Sequence, residues 1–149
     1  MTLLPFIVLL LGCCGYALLR GGPPERVGAA LQLGAFVFDD AVHRLIDGLG
    51  YSSLAVGSMI IDVALLIALT LLAWRSTRFW PLWIAGWQAA AIAAHMSKLV
   101  DPGMIPAGYA IQAQIWAYPM LIATAVGTWR HRRRVAVGDL DPAWKTRPA

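Results

Sequence analysis

Charge is what this chain has least of. Of its 149 residues only 13% are charged, against about 25% in a soluble globular domain. Its hydrophobic share is 59% and its mean hydropathy is +0.64. That balance excludes a disordered chain, which needs low hydrophobicity and high charge, and it excludes most soluble folds. Cysteine is nearly absent too, with just Cys13 and Cys14. Neighbouring side chains on a helix point about 100° apart, so the two are badly placed to bridge and match no metal-ligand spacing. They read as small apolar filler. Also missing are a Gly-rich phosphate loop and any recognisable Ser or Cys nucleophile motif, which points away from an enzyme. The net charge of +4 does not point to nucleic acid, because the basic residues lie between apolar runs and in the tail rather than on a soluble patch.

What is present is a series of apolar segments. A helical membrane span uses about 20 apolar residues, and five candidates run over 3–19, 27–46, 53–74, 79–100 and 107–129. Leu10-Leu11-Gly12-Cys13 has the look of a lipoprotein cleavage motif. No Lys or Arg precedes the first run, however, so it is expected to be a retained span rather than a signal peptide. Gly21-Gly22-Pro23-Pro24 reads as a breaker, and Tyr118-Pro119 as a kink in the fifth segment. The fold expected is all-α, an integral membrane bundle of five transmembrane helices over 1–134, with a polar tail over 135–149.

Orientation follows from Lys and Arg. With five spans, Arg20, Arg26, Arg75, Arg78, Arg130, Arg132, Arg133, Arg134, Lys145 and Arg147 share one side, leaving Arg44 and Lys98 on the other. The N-terminus is then outside and the C-terminus cytoplasmic. Trp74, Phe79, Trp80, Trp83 and Trp129 mark the cytoplasmic interface, and Tyr51 and Tyr109 the outer one.

Ionisable residues within apolar segments are costly, tend to face the protein interior, and are candidates for function. Asp62 lies roughly 14 Å into its segment, near the bilayer midplane, with Gln88 and Tyr118 at similar depth. Asp39, Asp40, His43, His95, Lys98, Gln112 and Gln114 fall toward the outer side. The spacing of Gln32, Phe36, Asp39 or Asp40, and His43 is helical, as is that of Gln88, His95 and Lys98. Four readings of the cluster Asp39, Asp40, His43, Asp62, Gln88, His95 and Lys98 stand. It is a structural set that fixes helix register or faces a partner. Or it is a proton or ion path with Asp62 as the midplane carboxylate and the histidines as relays. His43 and His95 could also ligate a haem b or border a quinone. Finally, Asp39, Asp40, His43 and His95 supply oxygen and nitrogen ligands for a metal ion.

Arg130 to Arg134 reads as stop-transfer charge attractive to an anionic leaflet. In the polar tail beyond it, Trp144 is the candidate anchor for a partner chain. Trp80-Pro81-Leu82-Trp83, the stretch from His95 to Pro102, and Trp116-Ala117-Tyr118-Pro119 resemble segments of small multi-span proteins of bacterial inner membranes. That family has no function to carry over. The length and tryptophan-rich spans are also similar to the translocator (tryptophan-rich sensory) protein family. Its proline-rich tryptophan motifs are absent here, so its porphyrin and sterol binding is not carried over. The role expected is a non-catalytic accessory or scaffolding subunit of a larger bacterial inner-membrane complex, with the lipid bilayer and other subunits as partners. The alternative is a haem- or quinone-associated redox subunit, or a proton- or ion-conducting protein.

Overall fold

The computed structural model describes residues 3–46, 51–100, 115–138 and 142–145, and the side chains among them except 3, 46, 51–55, 95 and 97–100. Tyr109, Gln112 and Gln114 lie outside the described residues, as do the side chains of Tyr51, His95 and Lys98. Five helices are described: α1 (Leu3–Arg20), α2 (Pro23–Ile46), α3 (Tyr51–Arg75), α4 (Trp80–Val100) and α5 (Ala117–Ala136).

The start of α2 differs from expectation for a physical reason. Pro23 and Pro24 begin the helix rather than break the chain, since the first turn's N–H groups have no intrahelical acceptor and a proline there loses nothing. Glu25 follows in that same turn, where the helix dipole favours a negative charge. Pro119 behaves alike. It falls in the first turn of α5, directly after a helical Ile115 and a turn at Trp116, so the helical path is interrupted just ahead of it. At its other end α5 continues through the arginine run to Ala136, past the tail boundary placed at 134.

Each helix packs on its sequence neighbour, and α5 closes back onto α1, giving a ring with α2 and α5 also touching across it. Helices α1 and α5 run parallel. Phe6 sets its ring edge-on to Tyr118 near their starts, and Gly22 lies against His131 near their ends. Two apolar clusters fill the interior. Leu10, Cys14, Ala17, Ala29 and Leu121 form one, and Leu65, Leu69, Ile84, Ala85 and Met120 the other.

The all-α expectation holds, but the five-span bundle does not. Among the described residues one helix is long and apolar enough to cross a membrane, through Val56–Arg75 of α3. Helix α1 is apolar over the shorter stretch Leu4–Arg20. Glu25, Arg26, Asp39, Asp40 and Arg44 interrupt α2, three tryptophans and Gln88 dilute α4, and Arg130 to Arg134 take up the second half of α5. The orientation with the N-terminus outside and the C-terminus cytoplasmic rested on the five-span count and falls with it.

Trp80 is wedged where three helices meet. A Cβ placed on Gly28 of α2 would stand 2.6 Å from its indole, and one on Gly127 of α5 would stand 2.7 Å from it. Glycine at both positions is what lets a tryptophan enter. Overpacking a well-filled site costs typically about 1–3 kcal/mol, so Gly127→Val should lower stability by at least that much. Gly34, with open space above its Cα, tolerates alanine without loss. Thermal or denaturant melts of the two variants in detergent check the contrast.

Candidate functional site

The polar residues of the helices whose side chains are described form pairs. In the first, Gln88 of α4 is buried and its Nε2 donates to Asp62 Oδ1 of α3 at 2.8 Å and to the Asp62 carbonyl at 3.3 Å. These two had been placed at the same depth, and they meet. In the second, Asp39 of α2 accepts from Ser58 Oγ of α3 at 2.6 Å, and its carboxylate stands 3.5 Å from His43 Nδ1 one turn on. His43 Nδ1 also lies 2.8 Å from the Asp39 carbonyl, and the ring is half exposed. Asp40 accepts from Arg44 Nε at 2.7 Å and Nη2 at 3.3 Å on the outer surface of the same helix, holding the guanidinium pKa above its usual value.

Asp39, Asp40 and His43 thus share one end of α2 and split between two pairings. His95 and Lys98 lie on the last turns of α4, with side chains outside the described set. Among the described residues no three His, Cys, Asp or Glu side chains come together as a metal site. Trp144 belongs to a tail segment that pairs with its own chain. It bridges to Ser76, Lys145 N donates to Arg75 O at 2.8 Å, and Thr77 N donates to Ala143 O at 3.3 Å. The connection between α3 and α4 therefore holds the tail as a short strand-like partner.

Two further polar groups lie outside that seven-residue set. Gln32, part of the α2 stripe, is buried and donates to Thr124 Oγ1 of α5 at 2.7 Å and to Gly28 O at 3.2 Å. Thr124 Oγ1 donates to Met120 O and Thr128 Oγ1 to Thr124 O, so these α5 threonines use their donors within the helix. The second group lies at the basic end. Glu25 is fully buried there, accepts from Trp80 Nε1 at 3.3 Å, and has Arg78 Nε 3.5 Å from its Oε1. Its other oxygen has no hydrogen-bond partner among the described residues. A Cβ on Gly22 would stand 3.0 Å from that oxygen and 2.8 Å from the His131 ring of α5.

From the sequence alone Glu25 has no assigned role, Arg78 counts among the basic residues of one side, and His131 falls within the run from Arg130 to Arg134. The signal available was an acid directly after Pro-Pro, which marks a helix first turn. A carboxylate buried there needs a cation, because an unpaired charge in a low-dielectric interior is expensive. No protein-family model, curated protein or solved structure matches this chain.

Each pair can be probed by breaking one member. Removing one partner of a buried ion pair costs about 3–5 kcal/mol, so Glu25→Ala should destabilise the bundle on that scale. Asp62→Asn keeps an acceptor for Gln88 and should melt close to the unaltered protein. Asp62→Leu orphans a buried amide and should cost roughly 1–3 kcal/mol. Adding Gln88→Leu to Asp62→Leu should restore part of that loss, which a double-mutant cycle of unfolding free energies measures.

Proposed function

We propose that this protein is an integral membrane protein held by α3 and serves as a non-catalytic accessory or scaffolding subunit of a larger membrane complex. The observation that carries this is the inverted distribution of polarity. Val56, Ile60, Val63, Ile67, Leu71 and Trp74 recur at helical spacing and are all exposed. Just 17% of the apolar window of α3 is buried. The core helix of a soluble protein is mostly buried, and a signal sequence lies at the N-terminus, whereas α3 is neither. Gln32, Gln88, Thr124 and Glu25 meanwhile lie inside. An apolar exterior of this kind is stable against lipid or against the apolar face of another membrane subunit.

The non-catalytic part rests on where the polar groups direct their hydrogen bonds. Asp62, Gln88, Gln32, Thr124 and Glu25 each bond across to a neighbouring helix. Interhelical hydrogen bonds of this kind hold helices together in an apolar surrounding. They fix register, and a subunit that presents its outer faces to partners needs fixed register. The open groove on α4, about 300 Å³ and lined by Phe79, Leu82, Trp83, Gly86 and Trp87, adds aromatic contact area on the outside.

Extraction from native membranes in mild detergent, followed by native gel electrophoresis, tests this. The protein should migrate in an assembly well above its 16.1 kDa, with the same co-migrating subunits after a second separation. Isolation as a lone, monodisperse species would contradict it. A Soret band in the purified protein, lost in the His43→Ala variant, would replace it with a redox role.

A further inference from the structure

We infer that the basic end of the bundle is a binding rim for the phosphate headgroups of anionic phospholipids. The inference rests on the membrane reading of α3 and goes beyond it. Arg20 ends α1, Arg75 ends α3, Arg130, Arg132 and Arg133 stand in the last turns of α5, and Lys145 is brought alongside by the tail's pairing with Arg75. All six are exposed. Four chain segments, α1, α3, α5 and the tail, are thereby gathered at one end. Glu25, the one acidic residue described at this end, is buried and already engaged by Arg78 and Trp80. Asp139 and Asp141 lie outside the described residues, and positive charge predominates even with both counted against it.

Depth is the second observation. Arg75 is the last residue of the apolar window Val56–Arg75, so the rim stands where hydrocarbon gives way to headgroups. Trp74 and Phe79 flank the connection between α3 and α4, Trp144 bridges to Ser76 within it, Trp129 lies under Arg133, and all four are exposed, as aromatic side chains at a membrane interface are. The Arg133 guanidinium sits 5.1 Å from the centre of the Trp129 ring. An aromatic face under a guanidinium leaves its planar N–H fork free for phosphate oxygens. At this depth the phosphate available in quantity is that of the lipid.

The full-length protein, purified in mild detergent and stripped of lipid, is titrated with phosphatidylglycerol or phosphatidylcholine, and bound lipid is read by native mass spectrometry. Phosphatidylglycerol should be retained preferentially, with a preference that shrinks as salt rises. The triple variant Arg130→Gln, Arg132→Gln, Arg133→Gln should weaken its binding on the order of a hundredfold, from about 1 kcal/mol per basic residue. Inorganic phosphate at matched concentration should leave lipid binding unchanged. The inference is overturned by equal retention of the two lipids, by displacement with inorganic phosphate, or by a salt-insensitive preference in the unaltered protein. Alkaline carbonate extraction separates the two levels. Protein that stays in the membrane pellet yet binds both lipids equally overturns the rim alone, and protein released to the supernatant overturns the membrane reading beneath it.

Discussion

The indole of Trp80 is the point on which the basic end of this bundle depends. Its ring needs the bare backbones of Gly28 and Gly127, so it fixes how closely α2, α4 and α5 approach. Its N–H reaches Glu25, a carboxylate with no exposure to solvent. Glu25 in turn gives Arg78 a counter-charge in the connection between α3 and α4. Arg75 at the end of α3 and Thr77 in that connection pair with the tail. One large aromatic side chain, admitted by two glycines, thus links three helices, a buried ion pair and the chain's last described segment.

From that end the interior changes character along the bundle. Beyond the ion pair come neutral hydrogen bonds between Gln32 and Thr124, then Asp62 with Gln88, and finally the half-exposed Asp39, Ser58 and His43. Nearly every interhelical bond joins a different pair of helices, so together they set the register of the ring. The exterior has the opposite chemistry. Apolar side chains face outward along α3 in an unbroken helical stripe, and aromatic side chains crowd the outer face of α4. Packing by small residues and polar bonds, with large apolar groups turned out, is how helices associate when the surroundings are as apolar as their own side chains.

Periodicity and hydropathy were enough to locate α3 and α4 to within about two residues, and depth counting brought Asp62 to the level of Gln88 before any fold was known. The start of α2 was not legible in the same way. Pro-Pro signals both a chain break and a helix first turn, and tertiary packing of Glu25 decides between them. The Glu25, Arg78 and His131 group escaped because Arg78 and the run around His131 had sufficient local explanations as orienting and stop-transfer charge, and a single acid beside Pro-Pro matches no site motif. Nothing in one dimension shows that the start of α2, the connection between α3 and α4, and the second half of α5 meet. The five-span count failed from the other direction. Apolar content alone admits α2 despite its five charges and α5 despite its arginines, whereas among the described residues α3 is the helix long and apolar enough to cross a membrane.

The central claim is that the exposed stripe of α3 faces lipid or an apolar subunit rather than water. Spin labels placed singly from Val56 to Trp74, in a background with Cys13 and Cys14 replaced by alanine, test it in reconstituted bilayers. Accessibility to dissolved oxygen should peak at Ile60, Val63, Ile67 and Leu71 or be quenched there by a partner, with exclusion of a water-soluble nickel reagent at all four. Strong collision with the nickel reagent at Val63 and Ile67 would place the middle of α3 in water and contradict the account.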